Sequence, residues 1–113
     1  MDTQDFRKYA HELVDWMADY LENVEEYPVL PKVKPGDILE QIPPNPPEKS
    51  EGFDHIFSDF KSQILPGMTH WESPNFMAYF PGNKSHPSIL AEMLTATLGG
   101  PVFLYSVVKL AER

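Results

Sequence analysis

Hydrophobic residues recur at spacings of three and four over the first 27 residues, which is the period of one face of a helix. Charged side chains occupy the opposite face, and Trp16 widens the apolar stripe. Asp2 or Thr3 can cap the helix, and Pro28 ends it because proline cannot continue a helix. The sequence therefore predicts an amphipathic helix over residues 1–27. Its stripe consists of Phe6, Ala10, Leu13, Met17, Tyr20, Leu21 and Val24.

A second helix is predicted over residues 50–66. Ser50 can cap its start, and the pair Pro66-Gly67 ends it. One face is apolar and carries Phe53, Ile56, Phe57, Phe60 and Ile64.

A third helix is predicted over residues 85–100, where Ser85 is followed by Pro87 just inside the first turn. Gly99 and Gly100 can end it. Most of its sides are apolar, so we expect this helix to be deeply buried. The apolar positions are Ile89, Leu90, Met93, Leu94, Thr97 and Leu98.

The segment 28–49 that joins the first two helices is rich in proline, with seven of the twelve prolines of the chain. Proline favours extended backbone, so we expect a strap with one helical turn at 36–42. Six aliphatic side chains suggest that the strap lies on another surface: Val29, Leu30, Val33, Ile38, Leu39 and Ile42. A polyproline spacer, or an SH3 ligand at "PPNPP", is the alternative.

The loop 67–84 is crowded with aromatic residues, although loops are usually polar. It contains Trp71, Phe76, Tyr79 and Phe80, together with two prolines. These rings either pack as ordinary core or bind a ligand, and the pattern leaves both interpretations open. For the tail 101–113, apolar at first and charged at its close, strand and helix also stay open.

Composition narrows the classes of function. The chain has 113 residues, 42% of them hydrophobic and 23% charged, which is typical of a globular protein. The net charge of −8 is concentrated in the first 60 residues, which carry 14 acids and 5 bases. This negative half argues against nucleic acid as a partner. No apolar run could span a membrane, no signal peptide is recognisable, and the lack of cysteine favours a cytoplasmic location.

Motifs for catalysis or metal binding are not found. The sequence has no glycine-rich phosphate loop, no GxSxG elbow and no HExxH pair. The four histidines lie apart in the sequence, so no metal site is expected.

Three stretches together resemble the amino-terminal segment of the pyridoxal-phosphate-dependent decarboxylases of aromatic amino acids, which include the tyrosine and histidine decarboxylases. They are "FRKYAHELVDWMADYLENVEEYPVLPKVKPGDI", the pattern "PxxPPExxEGFDHIFSDF", and "PGMTHWESPNFMAYFP". The resemblance implies a mainly α segment of a fold-type I pyridoxal-phosphate enzyme, without the large cofactor domain. In this family the amino-terminal helices wrap around the partner subunit of a dimer.

The resemblance also implies a role for the aromatic loop, because "THW" and "AYFP" resemble segments that line the substrate pocket. Trp71, Tyr79, Phe80 and Pro81 would then contact the side chain of a small aromatic amino acid. Phe103 falls near a pocket phenylalanine of the family, although its neighbours differ.

The catalytic groups of the family have no counterpart here. Relatives place the Schiff-base lysine after an Asn-x-His pair, and none of the seven lysines of this chain follows a histidine. We therefore assign no catalytic or cofactor-binding residue and do not expect this chain alone to bind pyridoxal phosphate. The sequence diverges from the family after Gly99, as expected for a member cut short by splicing, a truncated gene model or the loss of a catalytic domain.

Two hypotheses of function follow. In the first, the chain is the dimerisation and substrate-pocket segment of an aromatic amino acid decarboxylase, a carbon–carbon lyase, and is inactive alone. In the second, it is a non-enzymatic paralogue or splice product that binds full-length relatives, so that the partner is either a second copy or a relative. A free-standing helical binding module is a third and weaker interpretation, because its apolar stripes would stay exposed.

Overall fold

A computed structural model of the protein describes residues 1–80, 82 and 84–99. The chain divides into two compact units, Met1–Tyr79 and Phe80–Arg113. The described residues form helices and no strand, which confirms the predicted helical fold. The predicted tail 101–113 lies outside the described residues, as do the predicted site residues Pro81 and Phe103.

Helix α1 spans Thr3–Glu22 and begins at a capping box. Of the two capping candidates, Asp2 is the N-cap. Its Oδ1 accepts the N–H groups of Gln4 at 2.7 Å and Asp5 at 2.8 Å. These bonds, chiefly the one from Asp5, lower the pKa of the Asp2 carboxyl. After Glu22 the chain tightens into a 3₁₀ turn, Val24–Glu26, so the predicted helix 1–27 is shorter than expected and ends in a different geometry.

The proline-rich strap contains one short helix, α2, over Asp37–Gln41. Gly36 is its N-cap and has φ of 104°, a conformation that glycine adopts without steric cost. The side chain of Ile38 packs directly against Gly67, where a Cβ would collide with Ile38 Cδ1. The strap therefore lies on the end of the second helical segment.

The second helical segment is made of three geometries. Helix α3 spans Phe53–Asp59, continues as a π-helical turn over Phe60–Ile64, and closes as a 3₁₀ turn over Leu65–Gly67. The predicted start at Ser50 is wrong, because Gly52 is the N-cap and no side chain caps the helix.

An aromatic ladder joins α1 to the second helical segment. The Trp16 ring meets the rings of Phe57 and Phe60 edge-on, with centroids 5.7 Å and 5.6 Å apart. Tyr9 packs on Phe53 at 5.0 Å. Each such pair contributes about 0.5–1.5 kcal/mol beyond the area it buries. Phe6 is 61% exposed, so only part of the predicted α1 stripe faces the ladder.

Helix α4 spans His86–Leu98 in the second unit. Ser85 caps its start by accepting the N–H of Ser88, and Gly99 ends it at φ of 59°. The expected deep burial is not found, since none of its residues is buried and Leu98 is 81% exposed. A helix that is apolar on most sides needs cover from other elements, and the described residues do not provide it.

Candidate functional site

The aromatic loop leaves the second helical segment as two consecutive turns. The N–H of Ser73 donates to the carbonyl of His70 at 3.0 Å, and the N–H of Phe76 donates to the carbonyl of Ser73 at 2.9 Å. The Ser73 hydroxyl also accepts the N–H of Asn75 at 3.3 Å. Prolines at 66 and 74 fix φ and keep the segment from continuing as a helix. The loop thus has a defined backbone without regular secondary structure.

His70 and Ser73 anchor this loop in the first unit, where they are the most buried polar side chains described. The His70 ring lies against the rings of Tyr20 and Tyr27, with centroids 5.7 Å and 4.7 Å away. Its Nδ1 is 2.8 Å from the Tyr20 hydroxyl oxygen. Burial lowers the pKa of His70, so the neutral imidazole is the favoured form. Burial, followed by the charges of Tyr27 and Glu72, raises the pKa of Tyr20.

Three rings, Trp71, Phe76 and Tyr79, form an aromatic platform on the outside of the loop. The Trp71 ring lies 4.7 Å from Phe76 and is stacked on Tyr79 at 5.7 Å, with 22° between the planes. Trp71 remains 45% exposed and Tyr79 82% exposed. Open aromatic faces of this kind can bind a flat ring by stacking, at about 0.5–1.5 kcal/mol for each ring pair.

Tyr79 adopts a left-handed backbone conformation with φ of 58°. A bulky residue seldom adopts a positive φ, and such strain is typical of positions where the surrounding structure holds the backbone. The stack on Trp71 supplies one such constraint.

The structure brings together two of the five predicted site residues. Trp71 and Tyr79 share the platform. Phe80 is completely exposed and belongs to the second unit, while Pro81 and Phe103 lie outside the described residues.

Sequence reasoning missed two residues of the site. Phe76 completes the platform, and its only signal in the sequence is its place in the aromatic loop. His70 belongs to the "THW" stretch, but its anchoring role was not readable there, because its partner Tyr20 lies 50 positions earlier.

The described residues do not fit pyridoxal phosphate. A Schiff base needs a lysine held in a shielded site, and all six described lysines are exposed. The Lys8 amine lies 3.8 Å from Glu12 and the Lys61 amine lies over the Phe57 ring, both on the surface. No group of three or more potential metal ligands occurs among these residues. None of their helices is long and apolar enough to cross a membrane.

The sequence matches one family model and several known proteins. Residues 35–108 match the model of the pyridoxal-dependent decarboxylase conserved domain. The chain is 44% identical over 99 residues to phenylacetaldehyde synthase of Arabidopsis thaliana, covering 88% of this chain and 20% of the relative. It is 45% identical over 105 residues to aromatic-L-amino-acid decarboxylase of Catharanthus roseus, covering 93% of this chain and 21% of the relative. The chain thus spans about a fifth of these relatives.

Solved structures agree with the sequence matches. The crystal structure of Oryza sativa TDC with PLP and tryptamine superposes with a TM-score of 0.87 at 37% identity, covering 98% of this chain and 23% of that one. The structure of Catharanthus roseus tryptophan decarboxylase in complex with L-tryptophan gives a TM-score of 0.81 at 46% identity, covering 88% of this chain and 21% of that one.

Proposed function

The chain belongs to the pyridoxal-dependent decarboxylase family, and we propose that it forms the dimerisation and substrate-pocket segment of an aromatic amino acid decarboxylase. The homology to these decarboxylases covers their amino-terminal part. The observation that carries the proposal is the exposed aromatic platform on a loop anchored by buried His70 and Ser73.

The platform would recognise the substrate through its ring. An aromatic side chain can stack on the open face of Trp71, and the contact removes apolar surface of both partners from water. Because the two turns and Tyr79 already hold the loop, little ordering entropy is lost on binding. The resemblance adds Phe80, Pro81 and Phe103 to the same pocket.

The catalytic groups and the cofactor site would lie in sequence that the relatives have and this chain does not match. In this proposal the chain alone is inactive, because its described lysines lack the context for a Schiff base. Its role in catalysis would be to bind and orient the ring of the amino acid, in the cytoplasm.

Dimerisation would cover the apolar surface that the chain leaves open. Val24 is the only buried hydrophobic residue among those described. On α4, Leu90, Leu94 and Leu98 are between 57% and 81% exposed. Full burial of such a side chain is worth about 1.5–3 kcal/mol. A second copy of the chain, or a full-length relative, is the partner that we propose for this surface.

A chimera tests the proposed function. Residues 1–99 of this protein replace the matching segment of the Catharanthus roseus relative, and decarboxylation of L-tryptophan is measured. We expect the chimera to be active, and we expect Trp71→Ala to lower kcat/KM by a factor that corresponds to about 1–3 kcal/mol. Met77→Ala is the matched control, since Met77 lies in the same loop and is 90% exposed. A folded, cofactor-loaded chimera without activity would contradict the proposal.

The second candidate, a non-enzymatic binder of full-length relatives, is supported by the same exposed apolar surface. Mixing the chain with a full-length relative separates the two. Binding that lowers the activity of the relative would favour the second candidate, whereas an active chimera, with no loss of the relative's activity on mixing, would favour the first.

A further inference from the structure

We infer that His70 is a positioning residue whose hydrogen bond with Tyr20 fixes the imidazole and, through the turn that the His70 carbonyl closes, the orientation of the Trp71 ring. The inference uses the proposed function only in its last step, where the orientation of Trp71 matters for the substrate.

The burial of His70 is unusual for a polar side chain in this protein. His70 is 3% exposed, less than any hydrophobic residue described, and two tyrosine rings lie against it. A buried imidazole needs a partner for its polar atoms, and the Tyr20 hydroxyl supplies one at 2.8 Å. A leucine would fill the space between the rings without this directional bond, so the histidine adds an angular constraint and not only volume.

The hydrogen bond holds the imidazole in either tautomer. Nδ1 can accept the Tyr20 O–H or donate to the Tyr20 oxygen, and the 2.8 Å distance suits both directions. In either case the bond joins the His70 ring to α1.

The constraint on His70 reaches Trp71 through the backbone. The carbonyl of His70 accepts the N–H of Ser73 at 3.0 Å and closes the turn in which Trp71 is the next residue. Ser73 is buried as well, so both ends of this turn are held. The Trp71 ring leaves the turn between these two anchors and stacks on Tyr79. Helix α1, which carries Tyr20, thereby determines the position of the platform.

Two variants that differ by the same hydroxyl group test the inference in the 113-residue chain. Tyr20→Phe removes the hydroxyl that bonds His70 and keeps the ring. Tyr27→Phe removes the hydroxyl of the other ring that packs on His70, for which the described residues show no bond to the imidazole. Imidazole nitrogens are observed in long-range ¹H–¹⁵N spectra, and the Trp71 indole N–H is assigned by its loss in Trp71→Phe.

We expect the imidazole nitrogen signals of His70 and the Trp71 indole signal to differ little between the original chain and Tyr27→Phe. In Tyr20→Phe the Nδ1 signal of His70 should shift because its hydrogen bond is lost, and the Trp71 indole signal should move. His70→Asn, whose amide oxygen can accept from Tyr20, should restore the Trp71 signal, whereas His70→Leu should not. An unmoved Trp71 signal in Tyr20→Phe would overturn the inference.

The chimera extends the test to substrate handling. Tyr20→Phe should lower kcat/KM for L-tryptophan roughly three- to tenfold, as expected for the loss of one neutral hydrogen bond, and Tyr27→Phe should not. An inactive chimera would contradict the proposed function and leave the spectroscopic result to decide the inference. An active chimera whose kcat/KM is unchanged by Tyr20→Phe would overturn the link from His70 to the substrate.

Discussion

Ile38 in the strap lies against Gly67 at the end of the second helical segment, so closely that a β-carbon at position 67 would force the Ile38 side chain to move. The contact joins two parts of the chain that are 29 positions apart and gives the strap a fixed place. A side chain at 67 is disfavoured by this approach and not by the backbone angles, since the φ of Gly67 is not in the left-handed region.

Gly67→Ala should destabilise the first unit by about 1 kcal/mol, the low end of the cost of overpacking, because the end of the Ile38 side chain has to move aside. Ile38→Ala makes room, so the double variant should lose less than the sum of the two single variants. Urea unfolding of all four proteins measures this coupling. Gly82→Ala is the control, because nothing lies within 4 Å of its added β-carbon. Additive effects of the two substitutions would show that the contact is not made.

The Tyr9 hydroxyl donates to Oδ2 of Asp54 at 2.9 Å and links α1 to α3. This bond, followed by burial and nearby carboxylates, raises the pKa of Tyr9 above its ordinary value of 10.0. Because the folded-state pKa is raised, the contribution of protonated Tyr9 to stability is complete below about pH 10 and is lost as the pH rises through the folded-state pKa. Asp54→Asn should bring the ionisation of Tyr9 back toward the ordinary range. The ionisation of Tyr9 is followed by tyrosinate absorbance during an alkaline titration, and Tyr9→Phe assigns the signal. Identical titration curves with Asp54 and with Asn at position 54 would refute the hydrogen bond.

His70 should make stability depend on pH near neutrality. The folded-state pKa of His70 lies below the ordinary 6.5 because burial disfavours the cation. The contribution of neutral His70 to stability is therefore present above about pH 6.5 and is lost as the pH falls toward the folded-state pKa. We expect the unfolding free energy to drop from about pH 7 to pH 5.5. His70→Asn should flatten this drop, while His11→Asn, at an exposed position of α1, should not. Unfolding in urea at several pH values decides between these outcomes.

Phe80 is completely exposed in this chain, so it distinguishes a pocket ring from a core ring. In the chimera, Phe80→Ala should leave the Tm almost unchanged. It should change the ratio of kcat/KM for L-tryptophan to kcat/KM for 5-hydroxy-L-tryptophan. The change should correspond to about 1–3 kcal/mol, the range of a hydrophobic specificity contact. A core ring would instead cost about 3–5 kcal/mol of stability. Equal losses for both substrates together with a large fall in Tm would identify Phe80 as packing.

The isolated 113-residue chain should not form a specific adduct with pyridoxal phosphate, because its described lysines are exposed and lack a phosphate cradle. Titration with the cofactor should give only weak, non-saturating changes in the visible spectrum. A stoichiometric band that disappears when a single lysine is replaced would contradict this prediction. Replacing each of the seven lysines in turn with arginine, which keeps the charge, provides the comparison.

The sequence by itself determined the features that depend on neighbours three or four residues away. The caps at Asp2 and Ser85 and the end of α4 at Gly99 follow from local side-chain and backbone chemistry, and the structure has them where the pattern placed them. Family membership was also readable, because long motifs such as "PGMTHWESPNFMAYFP" are specific on their own.

The tertiary structure decided which side chains are buried, because burial depends on residues far apart in the chain. Nothing near position 70 indicates that Tyr20 will bond its imidazole, and nothing near position 67 indicates that Ile38 will cover it. The apolar pattern of α4 predicted burial, yet Leu98 is exposed, since a pattern shows which face needs cover but not whether the same chain provides it. The aromatic platform likewise exists only because two turns bring Trp71, Phe76 and Tyr79 to one side of the loop.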